Sequence, residues 1–228
     1  AVLRETLRAG ALANEADAEM TDAEGEPLGD PTEVALLVAA AKAGMQPSTL
    51  RTEHPQVELL PFEPDRRYMA SLRRADGGQR IYLKGAPEAV VQRCERMLGQ
   101  DGPETVDREA ILARAREMAA RGLRVLAMAY RPSDAESIAD ADLERGFVFC
   151  GLQGMEDPVR REAVESVRMV QRAGIRVLML TGDHLVTAQA IGRQLGLGGS
   201  DARALEGREL ETLSDEELDR LLLDEGVD

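Results

Sequence analysis

Apolar positions in the first 145 residues follow two different periods, which predicts a mixture of helices and strands. A spacing of three to four residues predicts helices over 2–16, 31–43, 87–98 and 108–121. Shorter apolar runs predict strands over 57–62, 68–74, 79–83 and 125–130. The segment Ala75-Asp76-Gly77-Gly78 predicts a hairpin between the second and third strands. Helices that cover an antiparallel hairpin indicate an α+β domain.

The pattern changes near residue 147, where strands and helices begin to alternate. Strands are predicted over 147–152 and 175–180, and helices over 159–173, 185–195 and 214–223. Residues 175–180 are almost wholly apolar, as in a parallel strand that is buried on both faces. We therefore predict two domains, 1–148 and 149–228.

One helix start is strongly marked, at Asp30-Pro31-Thr32-Glu33. Asp30 can act as the N-cap and Pro31 suits the first turn. Glu33 is three residues after the cap, so it is expected to complete a capping box.

Charge and composition narrow the classes of function. The chain has 28 basic and 42 acidic residues, and its net charge of −14 argues against a nucleic-acid or anionic-membrane binder. Its two cysteines and two histidines are scattered, so no metal site is predicted and a reduced, cytosolic setting is the simplest expectation. Only Lys42 and Lys84 are lysines, so a lysine retained among so many arginines is a candidate for a specific role.

Two places carry candidate binding chemistry. Lys84 precedes Gly85 and Ala86 at a predicted strand end, where small residues let a planar base or a phosphate approach the backbone. The alternative for Lys84 is an exposed lysine at a strand end. Phe62, one of three phenylalanines, lies at the end of a predicted strand, where the alternative to a binding role is a core position. Thr181-Gly182-Asp183 lies where a predicted strand meets a helix, a common place for phosphate binding; the alternative is a plain turn.

Five segments in order resemble the cytoplasmic part of P-type ATPases, most closely the type II ion pumps. The segments are 29–36 (GDPTEVAL), 62–69 (FEPDRRYM), 84–88 (KGAPE), 122–127 (GLRVLA) and 154–184. The resemblance implies an α/β (α+β) fold, in which a nucleotide-binding domain has an antiparallel sheet flanked by helices. A partial Rossmann-like phosphorylation domain of the haloacid-dehalogenase type would follow it.

The resemblance also implies the residues that contact the ligand, ATP with Mg²⁺. In the first domain these nucleotide-binding residues are Glu33, Phe62, Arg67, Lys84, Gly85, Ala86 and Arg124. In the second domain the residues on the phosphate side are Asp157, Arg160, Thr181, Gly182 and Asp183. Two positions depart from the family pattern: Arg67 stands where many relatives have Lys, and Val159 stands where a second Pro is usual.

The family's phosphorylated Asp-Lys-Thr-Gly-Thr segment and its Mg²⁺-binding Gly-Asp-Gly-x-Asn-Asp segment do not occur in the sequence. Because phosphoryl transfer needs a positioned nucleophile and metal-neutralised charge, no catalytic or metal-binding residue is expected in this chain. The expected function is ATP binding within a cation pump at the cytoplasmic face of the membrane. Its partners there would be the missing phosphorylation-domain, actuator and transmembrane segments. The alternatives are a free-standing haloacid-dehalogenase-like phosphatase and a non-catalytic nucleotide-binding module.

Overall fold

A computed structural model describes residues 1–21, 27–75, 77–156, 159–181, 185–197, 204–210 and 212–223. The chain divides into two compact units. The first comprises Ala1–Arg116 and Val125–Met155, and the second comprises Glu117–Arg124 and Glu156–Asp228.

The first unit is built on a seven-stranded sheet with the order β3-β4-β5-β8-β9-β6-β7. The strands are β3 (Gln56–Glu63), β4 (Tyr68–Ala75), β5 (Gly78–Gly85), β6 (Cys94–Leu98), β7 (Pro103–Thr105), β8 (Arg124–Ser133) and β9 (Phe147–Met155). Strands β3, β4, β5 and β8 pair antiparallel in succession, β6 pairs antiparallel with β7, and β6 pairs parallel with β9. A separate two-stranded sheet joins β1 (Asp17–Thr21) to β2 (Pro27–Leu28).

Side chains alternate between the two faces of this sheet, so each face packs against its own helices. One face carries Met69, Tyr82 and Met128 and meets a group of helices. That group comprises α1 (Val2–Leu12), α2 (Pro31–Lys42) and α3 (Pro47–Glu53). The other face carries residues such as Ile81 and Ala129. Its helices are α4 (Pro87–Val91), α5 (Arg108–Ala120) and α6 (Asp140–Glu144). The core is thus two apolar layers with the sheet between them.

Three local predictions hold: the hairpin, the α2 start and the mixed α/β class. The β4–β5 hairpin pairs Ala75 with Gly78, although Asp76 lies outside the described residues. The Asp30 carboxylate accepts hydrogen bonds from the backbone N–H groups of Thr32 and Glu33 at 2.8 and 3.4 Å, so it caps α2 as expected.

Two predicted helices are too long. The helix expected over 87–98 ends at Val91, because residues 94–98 form β6 and pair with β7 and β9. The helix expected over 2–16 ends at Leu12, where the buried Arg73 guanidinium donates to the Leu12 carbonyl at 2.8 Å from Nη2. An arginine at a helix C-terminus satisfies a carbonyl that lacks an intrahelical partner.

The strand predicted over 147–152 belongs to the first unit rather than to a second domain. It extends to Met155 and lies between β8 and β6 in the large sheet. The first compact unit accordingly ends at Met155, seven residues beyond the predicted boundary at 148. The hydrogen-bonded ladder to β6 is the physical reason, since a strand belongs with the sheet that satisfies its backbone.

The second unit contains α7 (Arg161–Arg172), α8 (Leu185–Leu195), α9 (Gly207–Leu210) and α10 (Asp215–Leu223). The buried strand predicted over 175–180 is wrong: this segment has no regular structure, and Leu180 is 91% exposed. A parallel strand needs a neighbouring strand for its hydrogen bonds, and the described residues from 156 onwards contain none. Among the helices that the structure describes, none has the length and apolar character to cross a membrane.

Candidate functional site

Lys84 lies near the end of β5 but is buried, with only 3% of the residue exposed. Its register partners are Met69 on β4 and Met128 on β8, which share its face of the sheet. The alternative of an exposed lysine at a strand end is therefore wrong. Burial lowers the pKa of the Lys84 ammonium, and the carboxylate of Glu33 is the main influence that opposes this shift.

The Glu33 carboxylate is held at both of its oxygens. Oε1 lies 2.5 Å from Nζ of Lys84, and Oε2 accepts a hydrogen bond of 3.1 Å from the backbone N–H of Glu15. The capping box predicted for Glu33 is wrong, because its side chain turns to Lys84 and Glu15 instead of back to the Asp30 backbone. A carboxylate and an ammonium side by side offer one acceptor and one donor to a polar ligand.

Asn14, the only asparagine of the chain, is hydrogen-bonded to the backbone of Glu33. Its Nδ2 donates to the Glu33 carbonyl at 2.9 Å and to the Gly10 carbonyl at 3.3 Å. Its Oδ1 accepts from the backbone N–H of Ala16 at 2.9 Å. Sequence reasoning missed this residue because it read 2–16 as one helix. The available signal was an asparagine at a helix end, where its side chain readily bonds nearby backbone.

An open cavity of about 510 Å³ borders the same turn on the first unit. Its lining residues are Asn14, Glu15, Arg51, Gln56, Leu59 and Arg73. Burial, followed by the charge of Arg51, lowers the pKa of Arg73 to about 10. Glu15, whose backbone N–H holds one oxygen of the Glu33 carboxylate, therefore borders space that a ligand could enter.

Gly85 allows close approach between β5 and the turn that precedes β4. A Cβ on Gly85 would lie 2.4 Å from the Arg67 carbonyl oxygen and 2.6 Å from Cα of Tyr68. The backbone N–H of Ala86 donates to that same Arg67 oxygen at 2.9 Å. Arg67 itself has a φ of 58°, in the left-handed region that non-glycine residues seldom adopt. The structure thus brings Arg67, Gly85 and Ala86 together through their backbones.

Phe62 lies near the end of β3 and is 53% exposed, so the core alternative is wrong for it. The following residue, Glu63, is the register partner of Tyr68, which places Phe62 beside the Arg67 turn. Arg66 holds this turn through one hydrogen bond, from Nη2 to the Pro61 carbonyl at 3.0 Å, and an ion pair with Glu63 at 3.1 Å. A half-exposed aromatic ring on an ordered strand can stack against a planar ligand.

Arg124 begins β8, three residues before Ala127, which is the register partner of Gly85. It is exposed and groups with the second unit. Of the residues proposed for the phosphate side, Arg160 is the exposed N-cap residue of α7 and Thr181 is exposed at the end of the irregular segment. Asp157, Gly182 and Asp183 lie outside the described residues.

The match to a family model decides the family. The model described as "P-type ATPase, cytoplasmic domain N" matches residues 2–162. The chain belongs to this family. Its mixed α/β fold, with a seven-stranded sheet flanked by helices, agrees with the fold that the resemblance implied.

The curated relatives of this P-type ATPase chain are much longer proteins. The cation-transporting ATPase pma1 of Synechocystis sp. is 44% identical over 95% of the chain and 24% of its own length. The probable cation-transporting ATPase F of Mycobacterium tuberculosis is 40% identical over 94% of the chain and 24% of its own length. The calcium-transporting ATPase 1 of Bacillus cereus is 38% identical over 83% of the chain and 22% of its own length. The chain therefore spans about a quarter of the length of the relatives it matches.

Proposed function

We propose that this chain binds ATP as the nucleotide-holding part of a cation-transporting P-type ATPase, at the cytoplasmic face of the membrane. The observation that carries the proposal is Lys84: one of only two lysines, it is buried in the sheet and paired with Glu33. A buried charge is costly to maintain without a compensating function or partner. The family membership makes a nucleotide the first ligand to test.

In this proposal the adenine ring stacks on the exposed face of Phe62. Lys84 donates a hydrogen bond to the nucleotide, and Glu33 accepts one from it. The absence of a side chain at Gly85 lets the Arg67 turn approach β5 closely, which would hold the base in a narrow slot. Base–aromatic stacking contributes about 1–3 kcal/mol per base in nucleic-acid complexes, so Phe62 is expected to supply much of a weak affinity.

The phosphates are assigned to cationic and polar groups. We propose that Arg67, Arg124, Arg160 and Thr181 contact them, as the resemblance implies. Within the described residues, no group of three His, Cys, Asp or Glu side chains is placed to hold a metal. We propose, from the family membership, that Mg²⁺ arrives bound to the ATP phosphates, where its charge neutralises them.

ATP hydrolysis is assigned to the intact pump, in which ATP would phosphorylate an aspartate outside this sequence and drive cation movement. The chain by itself is expected to bind ATP without releasing phosphate, because the motif that carries the nucleophile does not occur in it. A dissociation constant on the order of 1 mM, about −4 kcal/mol, is expected for the chain alone. The rest of the pump would tighten binding by holding the phosphates in place.

Isothermal titration calorimetry with ATP, with and without Mg²⁺, tests the proposal. Lys84→Met and Phe62→Ala should each abolish measurable binding, while Lys42→Ala should leave it unchanged because Lys42 is exposed on α2. Methionine suits position 84 because its register partners are Met69 and Met128. Failure of the folded wild-type chain to bind ATP would contradict the proposal, and so would equal binding by all three variants.

A phosphate-release assay on the same samples separates a binding module from an enzyme. No release above the buffer rate is expected at saturating Mg²⁺–ATP. Turnover by the purified chain would instead favour the phosphatase alternative. Such turnover would require a nucleophilic residue that the sequence motifs do not identify.

A further inference from the structure

We propose that Asn14 is a positioning residue for nucleotide binding, which acts through Glu33 to hold the ammonium of Lys84. The inference rests on the proposed function, because it assigns a supporting residue to the same site. Neither the family motifs nor the sequence pattern singled out Asn14. Its role is read from three hydrogen bonds that converge on one buried side chain.

Both polar groups of the Asn14 side-chain amide are hydrogen-bonded. The NH₂ group donates to the Glu33 carbonyl and to the last turn of α1 at Gly10, and the oxygen accepts from the backbone of Ala16. Only 3% of the residue is exposed. The bond from Asn14 to Glu33 spans 19 positions in the sequence, so it ties the end of α1 to the first turn of α2. Buried, fully used amides of this kind fix one arrangement of the surrounding backbone.

The turn that Asn14 creates presents the next N–H group to the Glu33 carboxylate. The bond from Ala16 N to Asn14 Oδ1 closes the turn, and the N–H of Glu15 then reaches Oε2 of Glu33 at 3.1 Å. With Oε2 held, Oε1 faces Lys84 Nζ at 2.5 Å. Asn14 therefore sets both the backbone position of Glu33 and the rotation of its carboxylate.

Both sides of the turn are held from outside. Arg73 donates to the Leu12 carbonyl, two residues before Asn14, from both Nε and Nη2. On the other side, Gly29 packs against Ala16 so closely that a Cβ on Gly29 would lie 2.5 Å from Cβ of Ala16. These contacts hold the two ends of the turn, and the Asn14 amide supports the part between them, where the Glu15 N–H reaches Glu33.

The expected consequence concerns the lysine itself. The carboxylates that act on Lys84 are, in order of their influence, those of Glu33, Glu15 and Asp30, and all three favour the charged ammonium against burial. In Asn14→Ala the Glu33 carboxylate loses its fixed orientation, so the pKa of Lys84 should fall further below its ordinary value. Affinity for ATP should fall about threefold to tenfold, which lies in the lower part of the range of couplings within one hydrogen-bond network.

The scarcity of lysine makes this measurable by NMR. In the full 228-residue chain labelled with ¹³C only at lysine, two sets of side-chain signals are expected, from Lys42 and Lys84. Asn14→Ala should move the Lys84 ε-methylene signal and lower its titration midpoint, and leave the exposed Lys42 signal unchanged. This readout needs no nucleotide. It still tests the positioning role if the wild-type chain fails to bind ATP, a result that would contradict only the proposed function.

A double-mutant cycle with Glu33→Gln tests the route of the effect. If Asn14 acts through Glu33, Asn14→Ala should add nothing to the Lys84 shift or to the loss of ATP affinity in the Glu33→Gln background. Additive effects of the two substitutions would contradict the proposal. An unchanged Lys84 signal in folded Asn14→Ala would contradict it as well.

Two further variants separate positioning from general destabilisation. Thr6→Val is the matched control, because Thr6 is a buried polar residue of α1 that donates to the Cys150 carbonyl at 2.9 Å, away from Glu33. It should lower the melting temperature without moving the Lys84 signal. If Asn14→Ala does not fold, Asn14→Ser keeps an acceptor for Ala16 and loses the reach to Glu33. It should still shift the Lys84 signal, and an unshifted signal in Asn14→Ser would overturn the proposal.

Discussion

Substitution of Gly85 by alanine should both destabilise the first unit and weaken ATP binding. The new Cβ would lie 2.4 Å from the Arg67 carbonyl oxygen and 2.6 Å from both Cα and Cβ of Tyr68. These atoms are backbone or fixed close to it, so no flexible side chain can swing away. An ordinary contact requires β5 and the Arg67 turn to separate by about 1 Å.

The size of the effect follows from three contributions. Overpacking at a close contact costs about 1–3 kcal/mol. The separation also lengthens the 2.9 Å bond from Ala86 N to the Arg67 carbonyl, which is worth about 1 kcal/mol. The lower backbone entropy of alanine in the unfolded chain offsets about 0.4–1 kcal/mol. A net loss of about 2 kcal/mol should lower the melting temperature by about 4–8 °C in a chain of this size.

Tyrosine signals provide a selective assay for this loss. The chain has no tryptophan, and its three tyrosines lie on neighbouring strands of the first unit, Tyr68 on β4, Tyr82 on β5 and Tyr130 on β8. Near-ultraviolet circular dichroism during thermal unfolding therefore reports on that sheet. Calorimetry on the same variant should show ATP affinity reduced by at least about tenfold, the change that 1.4 kcal/mol produces.

Gly99→Ala is the matched control within the same unit. A Cβ on Gly99 would also be crowded, at 2.9 Å, but its neighbour is the end of the Glu104 side chain, which can rotate into solvent. Its melting temperature and ATP affinity should therefore stay close to those of the wild type. Equal behaviour of the two variants would refute the claim that close backbone approach at Gly85 shapes the site.

Three further predictions concern other parts of the chain. Phe62→Ala should change the free energy of unfolding by no more than about 0.5 kcal/mol in urea, because the ring is half exposed. Burial raises the pKa of Cys94 from 9.0 to about 12, so the unfolded chain loses the thiol proton first and stability should fall as the pH rises from 9 towards 12. Urea titrations at pH 8 and 10.5 should show a smaller fall in Cys94→Ala, and an equal fall would contradict this cause. The irregular segment 175–180 and helix α7 should exchange amide hydrogens faster than β5, and equal protection of the three would refute this.

Local patterns were sufficient where the chain pairs with its own near neighbours. The β4–β5 hairpin and the start of α2 were predicted correctly, because a turn sequence and a capping residue act within a few positions. Strand β6 was mistaken for a helix, since its partner β9 lies about fifty residues further along the chain and the sequence gives no local sign of that pairing. Residues 175–180 show the converse case, in which a strand-like sequence stays irregular without a neighbouring strand.

The candidate site also contains some features that the sequence predicts and others that only the structure shows. The resemblance to known pumps identified Lys84 and Glu33, but their direct pairing required the three-dimensional register of β5 against α2. Whether Phe62 was core or exposed could not be settled from one residue at a strand end. The role of Asn14 could not be predicted from the sequence, because its hydrogen bonds to Glu33 and Ala16 depend on where α1 ends. Arg73, on a distant strand, helps to set that end.

The burial of both cysteines has a practical consequence for labelling. Cys94 and Cys150 are the only cysteines in the chain, both are buried, and burial raises the pKa of each thiol. Such thiols react slowly with maleimides, since the thiolate is the reactive form. Cysteines introduced at two exposed positions, Glu53 in the first unit and Arg172 in the second, would thus be the preferred targets of a fluorophore pair. Energy transfer between the dyes could then follow the distance between the two units as ATP is added, with the native cysteines left in place.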